Sequence, residues 1–378
     1  MATYRVFLLA LLLPLMFACG GSSSSDGQPT QELESRSFFL GFTPWYFAAT
    51  QNAISITYGR LNSHGDIIKH HLMEGIPWQE ALDQTPYHPN VEASLETRLA
   101  NTATSMTVFL AVDSLNSSRD ELSLYWAESD NLPRQNDWSN RSWSSPEVIA
   151  AYVNFASDMI DRFSPTYFEY GTEVSELILN DLDAYADFLV FAEAVYTQLK
   201  ARYPQLVLVT SVALKSPSSS EMQLVTTHYA ELLPYTDLVG ISTYPYVFYN
   251  HADRGDPSNL PANWLTQIRL IAPGKPYAIS ETGWIAEDLT IADFQYSEQS
   301  DQTKQYLYLE KLLAESENLD MAFVIWWTAT DFDTLWENEL AQDPVAKIWK
   351  DIGLYDEAQQ PRQALATWQK WFERPRDE

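Results

Sequence analysis

"SSPEVIAAYVNFASDMIDRFSPTYFEYGTE", residues 144–173, contains one full period of the pattern that decides the fold. Ser145 stands where a helix N-cap belongs, and Pro146 follows at the first helical position, where a missing N–H costs nothing. Val148, Ile149, Tyr152, Phe155, Ala156, Met159, Ile160 and Phe163 then recur at helical spacing and form one apolar face. Ser164-Pro165 ends the helix, because the residue before a proline avoids the helical region. The next stretch, "TYFEYGTE" (166–173), is short, apolar and aromatic, and breaks at a glycine and a carboxylate, as a strand does.

The same alternation extends in both directions. Strand-like stretches lie at 37–45, 65–72, 105–113, 166–173, 205–214, 236–246, 275–281 and 319–331. Each is followed by a helical pattern, except that an aromatic loop and a short helix separate the sixth from the seventh. Eight such units predict an α/β fold, a (β/α)8 TIM barrel forming a single domain over 37–375. A doubly wound open sheet lacks support, since no Gly-rich phosphate loop follows the first strand. No internal repeat interrupts the pattern, and no second low-complexity linker appears beyond residue 37.

Composition narrows the function. The chain has 378 residues, is 46% hydrophobic and carries a formal charge of −28, which argues against nucleic acid and against an anionic polymer held in basic grooves. A neutral substrate fits better. The lone Cys19 can form no internal disulfide and leaves no cysteine cluster for zinc. It follows "MATYRVFLLALLLPLMFA" (1–18), a short charged region and an apolar run too short to span a bilayer. The Gly/Ser-rich segment from 19 to 36 reads as a flexible tether. Together these resemble a bacterial lipoprotein signal, which implies lipidation of Cys19 and, with Gly20 after it, an outer-membrane anchor that does not span.

In a barrel of this kind, functional groups sit at the C-terminal ends of strands. Glu173 closes the fourth stretch and Glu281, in "YAISETGW", closes the seventh. Strand interiors exclude glutamate unless something specific satisfies it. Two carboxyls facing one cleft suit glycoside hydrolysis, which needs a protonated acid on one side of the bond and an ionised nucleophile or base on the other. Their proximity should push the two proton affinities apart, with Glu173 the higher. The plainer alternatives are a structural carboxylate paired with a cation for Glu281, and a helix-dipole contact for Glu173. Glu169 lies deeper in its strand and is expected to tie the barrel together.

The order of these motifs, over about residues 38–372, resembles the clan A retaining glycoside hydrolases, and within them family 53, the endo-β-1,4-galactanases. "YGTEVSEL" (170–177) is similar to that family's strand-four motif, "DLVGISTYPY" (237–246) to its strand-six ending, and "GLYDEAQQPRQAL" with "TWQKW" to a closing element of clan A barrels. The resemblance implies Glu173 as acid/base, Glu281 as nucleophile, no cofactor, and a hydrogen bond from Tyr244 to the nucleophile. One departure stands out: Thr172 replaces the asparagine that in the clan precedes the acid/base. "SETGW" also resembles family 17, which leaves a β-1,3-glucan open as substrate. A non-catalytic glycan-binding lipoprotein is the reading from another class.

Aromatic residues gather at the same strand ends. Trp45, Tyr244, Trp284 and Trp326 are expected to offer flat faces to sugar rings, with Thr172 and His71 beside them. Adjacent strand residues point to opposite sides, so one of His70 and His71 lines the cleft and the other packs outward. Asp113 fits a sugar contact or a turn cap equally. The loop 114–143 is long enough to wall the cleft through Trp126, Trp138 or Trp143. The acidic run 331–343 fails the EF-hand template and reads as a solvated loop. The partner implied is a polysaccharide or oligosaccharide, met by a monomer.

Overall fold

Each of the eight apolar stretches becomes a parallel strand in the computed structural model, which describes residues 34–250 and 254–377. They are β1 (Phe39–Phe42), β2 (Ile67–Leu72), β3 (Thr107–Val112), β4 (Tyr167–Gly171), β5 (Val207–Ala213), β6 (Leu238–Thr243), β7 (Tyr277–Thr282) and β8 (Phe323–Trp326). Neighbours pair in sequence order, and β1 closes on β8 in the register Phe39↔Phe323 to Phe42↔Trp326. The predicted (β/α)8 barrel is therefore the fold.

The two-residue strand period sorts side chains into barrel interior and helix layer. Ile67, Phe109, Val209, Leu238, Ala278, Phe323 and Ile325 form a compact apolar plug inside the barrel. Their neighbours in the chain, among them Ile68, Leu110, Leu208, Val239, Ile279 and Val324, belong to the larger core under the helices. One step further along β2 and β4 the interior turns ionic, with Lys69 and Glu169 both fully buried.

Two strands break the period near their C-terminal ends. On β4 the register slips between Glu169 and Gly171. On β7, Ile241 of β6 faces Ile279 whereas Ser242 faces Glu281, which leaves Ser280 as the extra residue of a bulge. Ala278 points inward and Ile279 outward. Without the bulge Glu281 would follow Ile279 to the outside; with it, Glu281 turns into the barrel mouth. Gly240 makes room opposite, since a Cβ there would lie 2.8 Å from the Ser280 hydroxyl oxygen.

The predicted helix spans Pro146–Phe163 and buries Val148, Tyr152, Phe155, Ala156, Met159, Ile160 and Phe163, while Ile149 is half-buried. Ser145 takes the N-cap position, but its hydroxyl accepts from the Ser142 N–H at 3.0 Å and not from the helix. An antiparallel hairpin, Leu289–Ile291 with Tyr296–Glu298, follows β7 and had no sequence signal. Residues from Ser35 onward form one compact unit. The Arg36 N–H donates to Pro375 O at 2.9 Å and its guanidinium meets Asp66 at 2.6 Å, so the domain starts slightly before the predicted residue 37. The signal segment 1–18, Cys19 and nearly all of the tether fall in residues 1–33, outside the described residues. Among the described residues no helix is long and apolar enough to cross a membrane.

Candidate active site

Glu281 is the most exposed residue of β7, with 17% of its side chain exposed. Tyr244, just past β6, donates its hydroxyl to Glu281 Oε1 at 2.8 Å. Burial first, and then the Glu281 carboxylate, raise the Tyr244 phenol well above its ordinary value, so it stays a donor. Lys69 Nζ lies 3.5 Å from Glu281 Oε2, and His71 Nδ1 lies 3.8 Å from the same oxygen.

Lys69 does more than face Glu281. Its ammonium is 3.3 Å from Glu169 Oε2 and donates to the Ser280 carbonyl at 3.2 Å, which anchors the bulge that aims Glu281. Burial alone would lower this lysine's proton affinity, but Glu169, Glu281 and Asp113 outweigh it and keep the cation above its ordinary value. Glu169 thus does tie the barrel together, through Lys69.

Glu173 lies two residues beyond β4 in a left-handed conformation (φ 51°, ψ 41°), costly for a residue with a side chain. Its N–H donates to the Ser211 hydroxyl at 2.8 Å, which helps to hold that geometry. It precedes the helix Val174–Asn180, yet its carboxyl makes no capping bond and turns instead to Arg119, whose Nε donates to Oε2 at 3.1 Å. Its side chain is 23% exposed. Burial pushes this carboxyl up, but Arg119, then the Ser242 hydroxyl, and Lys69 bring it below its ordinary value. That runs against the high affinity expected of Glu173, and Arg119 is the cause.

Asp113 joins the two halves. Its Oδ1 lies 2.8 Å from His71 Nε2, and its Oδ2 accepts from Arg119 Nη1 at 2.8 Å. It is neither a turn cap nor free for sugar, and Arg119 and His71 overcome its burial to hold it well below the usual carboxylate range. His71 is the inward histidine, following Ile67 and Lys69 on one face. His70 points outward, 2.8 Å from the Thr102 hydroxyl, and burial pushes its ring down to about 3.

Two cavities open at this mouth. One, of about 480 Å³, is lined by His71, Trp45, Trp327, Phe332 and Trp349, with Glu74, Arg98 and Asp130 among its polar groups. The other, of about 170 Å³, is lined by Arg119, Glu173, Glu176, Lys215, Tyr244 and Phe248. Ser117 and Trp349 border both. Depressions of about 410 and 610 Å³ on the outer helices contain neither Glu173 nor Glu281.

Of the residues predicted to meet sugar, Trp45, His71 and Tyr244 line these cavities. Trp284 and Trp326 do not. Trp284 is fully buried against Tyr308 at 4.8 Å, and Trp326 points into the helix layer, where its indole donates to Ile352 O at 2.8 Å. Strand alternation explains the second case: Phe323 and Ile325 point inward, so the inward tryptophan is Trp327. Thr172 is 3% exposed and lies beside Asp113, whose carboxyl its hydroxyl helps to hold down.

Trp126, Trp138 and Trp143 are buried and do not form the wall, although their loop supplies Ser117, Arg119, Asp130 and Asn131 to it. In the acidic run, Asp331 is 1% exposed and paired with Arg362, while the Lys350 ammonium meets Asp333 and Asp351. That run is part solvated and part core, with its own cations.

No protein-family model matches the chain, and no curated protein does. Solved structures do. An exo-β-1,4-mannosidase from an Opitutaceae bacterium, strain TAV5, superposes with a TM-score of 0.56 at 12% identity, over 89% of this chain and 59% of that one. This chain thus spans about three fifths of the mannosidase's length. Xylanase 10B from Thermotoga maritima gives 0.54 at 13% identity, over 89% and 95%. The GH53 catalytic domain from Ignisphaera aggregans gives 0.53 at 14%, over 91% and 92%. What the chain shares with these glycoside hydrolases is the closed, eight-stranded parallel barrel.

Proposed function

We propose that the protein is a retaining β-glycosidase acting on a neutral β-linked polysaccharide, with Glu281 as nucleophile and Glu173 as acid/base. One observation carries the reading. Two partly exposed carboxyls at one barrel mouth are joined through His71, Asp113 and Arg119, and one of them accepts a phenolic hydrogen bond from Tyr244. Glu281, braced by Tyr244 and Lys69, would attack the anomeric carbon. Protonated Glu173 would deliver its proton to the departing oxygen, then as carboxylate take a proton from the water that opens the glycosyl-enzyme. The cavity holding Glu173 receives the leaving group on this reading, and the larger one, with Trp45 and Trp327 beside His71, receives the glycone.

The motif resemblance and the superposition on a GH53 domain support β-1,4-galactan as the first substrate to try, with β-1,3-glucan second. The test is hydrolysis of a polysaccharide panel by the purified domain beside Glu281→Gln. Cleavage of one β-glycan by the wild type alone supports the proposal. Binding without cleavage of any would replace it with the glycan-capture reading.

We also propose, from "LPLMFACGG" (13–21), that Cys19 carries a lipid anchor to the outer membrane. Cys19→Ala should move the protein to the soluble fraction, and persistence in the membrane pellet would oppose the idea.

A further inference from the structure

The loop after β3 is folded around one residue. Leu115 and Leu122 form an antiparallel bridge, the Asn116 N–H donates to Glu121 O at 2.9 Å, and the Asn116 side-chain oxygen accepts from the Asp120 N–H at 3.1 Å. At the tip Arg119 adopts a left-handed backbone (φ 57°), and only 8% of its side chain is exposed. A buried arginine on a polar loop is expensive unless it is fully paired. This one is paired three times. Nη1 donates to Asp113 Oδ2 and to the Asn116 carbonyl at 3.0 Å, and Nε donates to Glu173 Oε2. The result is a continuous chain of polar contacts through Glu281, His71, Asp113, Arg119 and Glu173.

We propose that Arg119 is a positioning residue for the Glu173 carboxyl, confining the reaction to conditions under which that carboxyl can still take up a proton. The inference rests on the glycosidase reading and adds to it a determinant of pH range. Glu173 is faced by Arg119 from the loop, Ser242 from β6, Lys69 from β2 and Tyr244 just beyond β6, while Asp113 and His71 reach it only through Arg119. Glu176 on the following helix faces it too, paired in turn with Lys215. Among the described residues Arg119 is the cation that forms an ion pair with Glu173.

The electron and proton balance is simple. In the first step the Glu173 carboxylic acid gives its proton to the glycosidic oxygen as the C–O bond breaks, and the resulting carboxylate regains its full bond to Arg119. The arginine favours the product side of that transfer and disfavours the protonated state that must precede it. An arginine beside a carboxylate typically lowers its midpoint by about 1–3 pH units.

The test follows the titration of ¹³C-labelled glutamate carboxyls by NMR in the substrate-free protein, with the Glu173 signal assigned by its loss in Glu173→Gln. We expect a wild-type midpoint below the ordinary glutamate value of about 4.3, a rise of about 1–3 units in Arg119→Gln, and a return toward wild type in Arg119→Lys. The basic limb of kcat/KM on the glycan selected by the panel should move up with Arg119→Gln and back with Arg119→Lys. A wild-type midpoint at or above the ordinary value, or one that Arg119→Gln leaves in place, overturns the proposal. The titration needs no turnover, so an inactive wild type with the expected midpoints would sink the glycosidase reading and spare the clamp.

Discussion

Replacing Lys69 with methionine should cost far more stability than its volume suggests. Lys69 and Glu169 are both fully buried, 3.3 Å apart, and the same ammonium serves Glu281 and the Ser280 carbonyl. Removing one partner of a buried ion pair leaves an uncompensated charge, which costs about 3–5 kcal/mol. For about 340 ordered residues the unfolding entropy is roughly 0.7 kcal/mol per degree, so Tm should fall by about 4–7 °C at neutral pH.

The loss should depend on pH. Burial already raises Glu169's folded proton affinity above the unfolded one, and the variant removes Lys69, the largest influence that lowers it, so the affinity rises further. Such a group stabilises fully below its unfolded midpoint of about 4.3 and loses that contribution as pH rises through the folded midpoint. The deficit should therefore be smaller at pH 5 than at pH 8. Adding Glu169→Leu should recover most of it, because removing both charges is far cheaper than removing one. Thermal unfolding of the single and double variants at both pH values decides. A single variant within about 1 kcal/mol of wild type, or a double variant no better than the single, would refute the paired-charge account.

Tyr244→Phe removes a hydrogen bond to a charged acceptor, worth about 1.5–3 kcal/mol, so kcat/KM should fall roughly tenfold to a hundredfold with Tm little changed. A drop under threefold would show that the bond does not serve the reaction. Trp327→Ala should raise KM for long oligosaccharides, beside a loss of stability from its packing on Trp45 and Trp349, whereas Trp326→Ala should cost about 3–5 kcal/mol of stability and leave KM unchanged; calorimetry and kinetics on the pair would show whether the assignments are reversed. Asp113 is held below the ordinary range by Arg119 and His71, so its contribution is complete above about pH 4 and is lost as pH falls below that. Asp113→Asn should flatten the acid limb of the stability profile, and an unchanged limb would count against the pairing.

The barrel was legible because its signals are local and repeated. The period-two strands, the helix at 146–163 and the order of eight units needed no long-range information. Glu281 was legible as an anomaly, a carboxylate ending an apolar strand. The same logic applies to Lys69, equally out of place among Ile67, Ile68 and Leu72, and strict alternation would have put it on the face of His71. Alternation would also have chosen Trp327 over Trp326. The bulge at Ser280 was not legible, because it is set by pairing with β6 and β8 rather than by the residues of β7. Nor was Arg119, which sits in a polar loop and acquires its role only when the turn at 116–121 folds it over Asp113 and Glu173.

The central claim is that Glu281 attacks the anomeric carbon in a retaining reaction, and rescue of Glu281→Gly tests it most directly. With an activated β-glycoside of the sugar the panel identifies, this variant should be nearly inactive, because it keeps the acid/base but lacks the nucleophile. Azide should fit the gap left by the carboxylate and attack from the same side, restoring turnover. The account predicts an α-glycosyl azide, read by proton NMR of the product. A β-glycosyl azide would reverse the roles of Glu281 and Glu173, and turnover near the wild-type rate without azide would remove Glu281 from the chemistry.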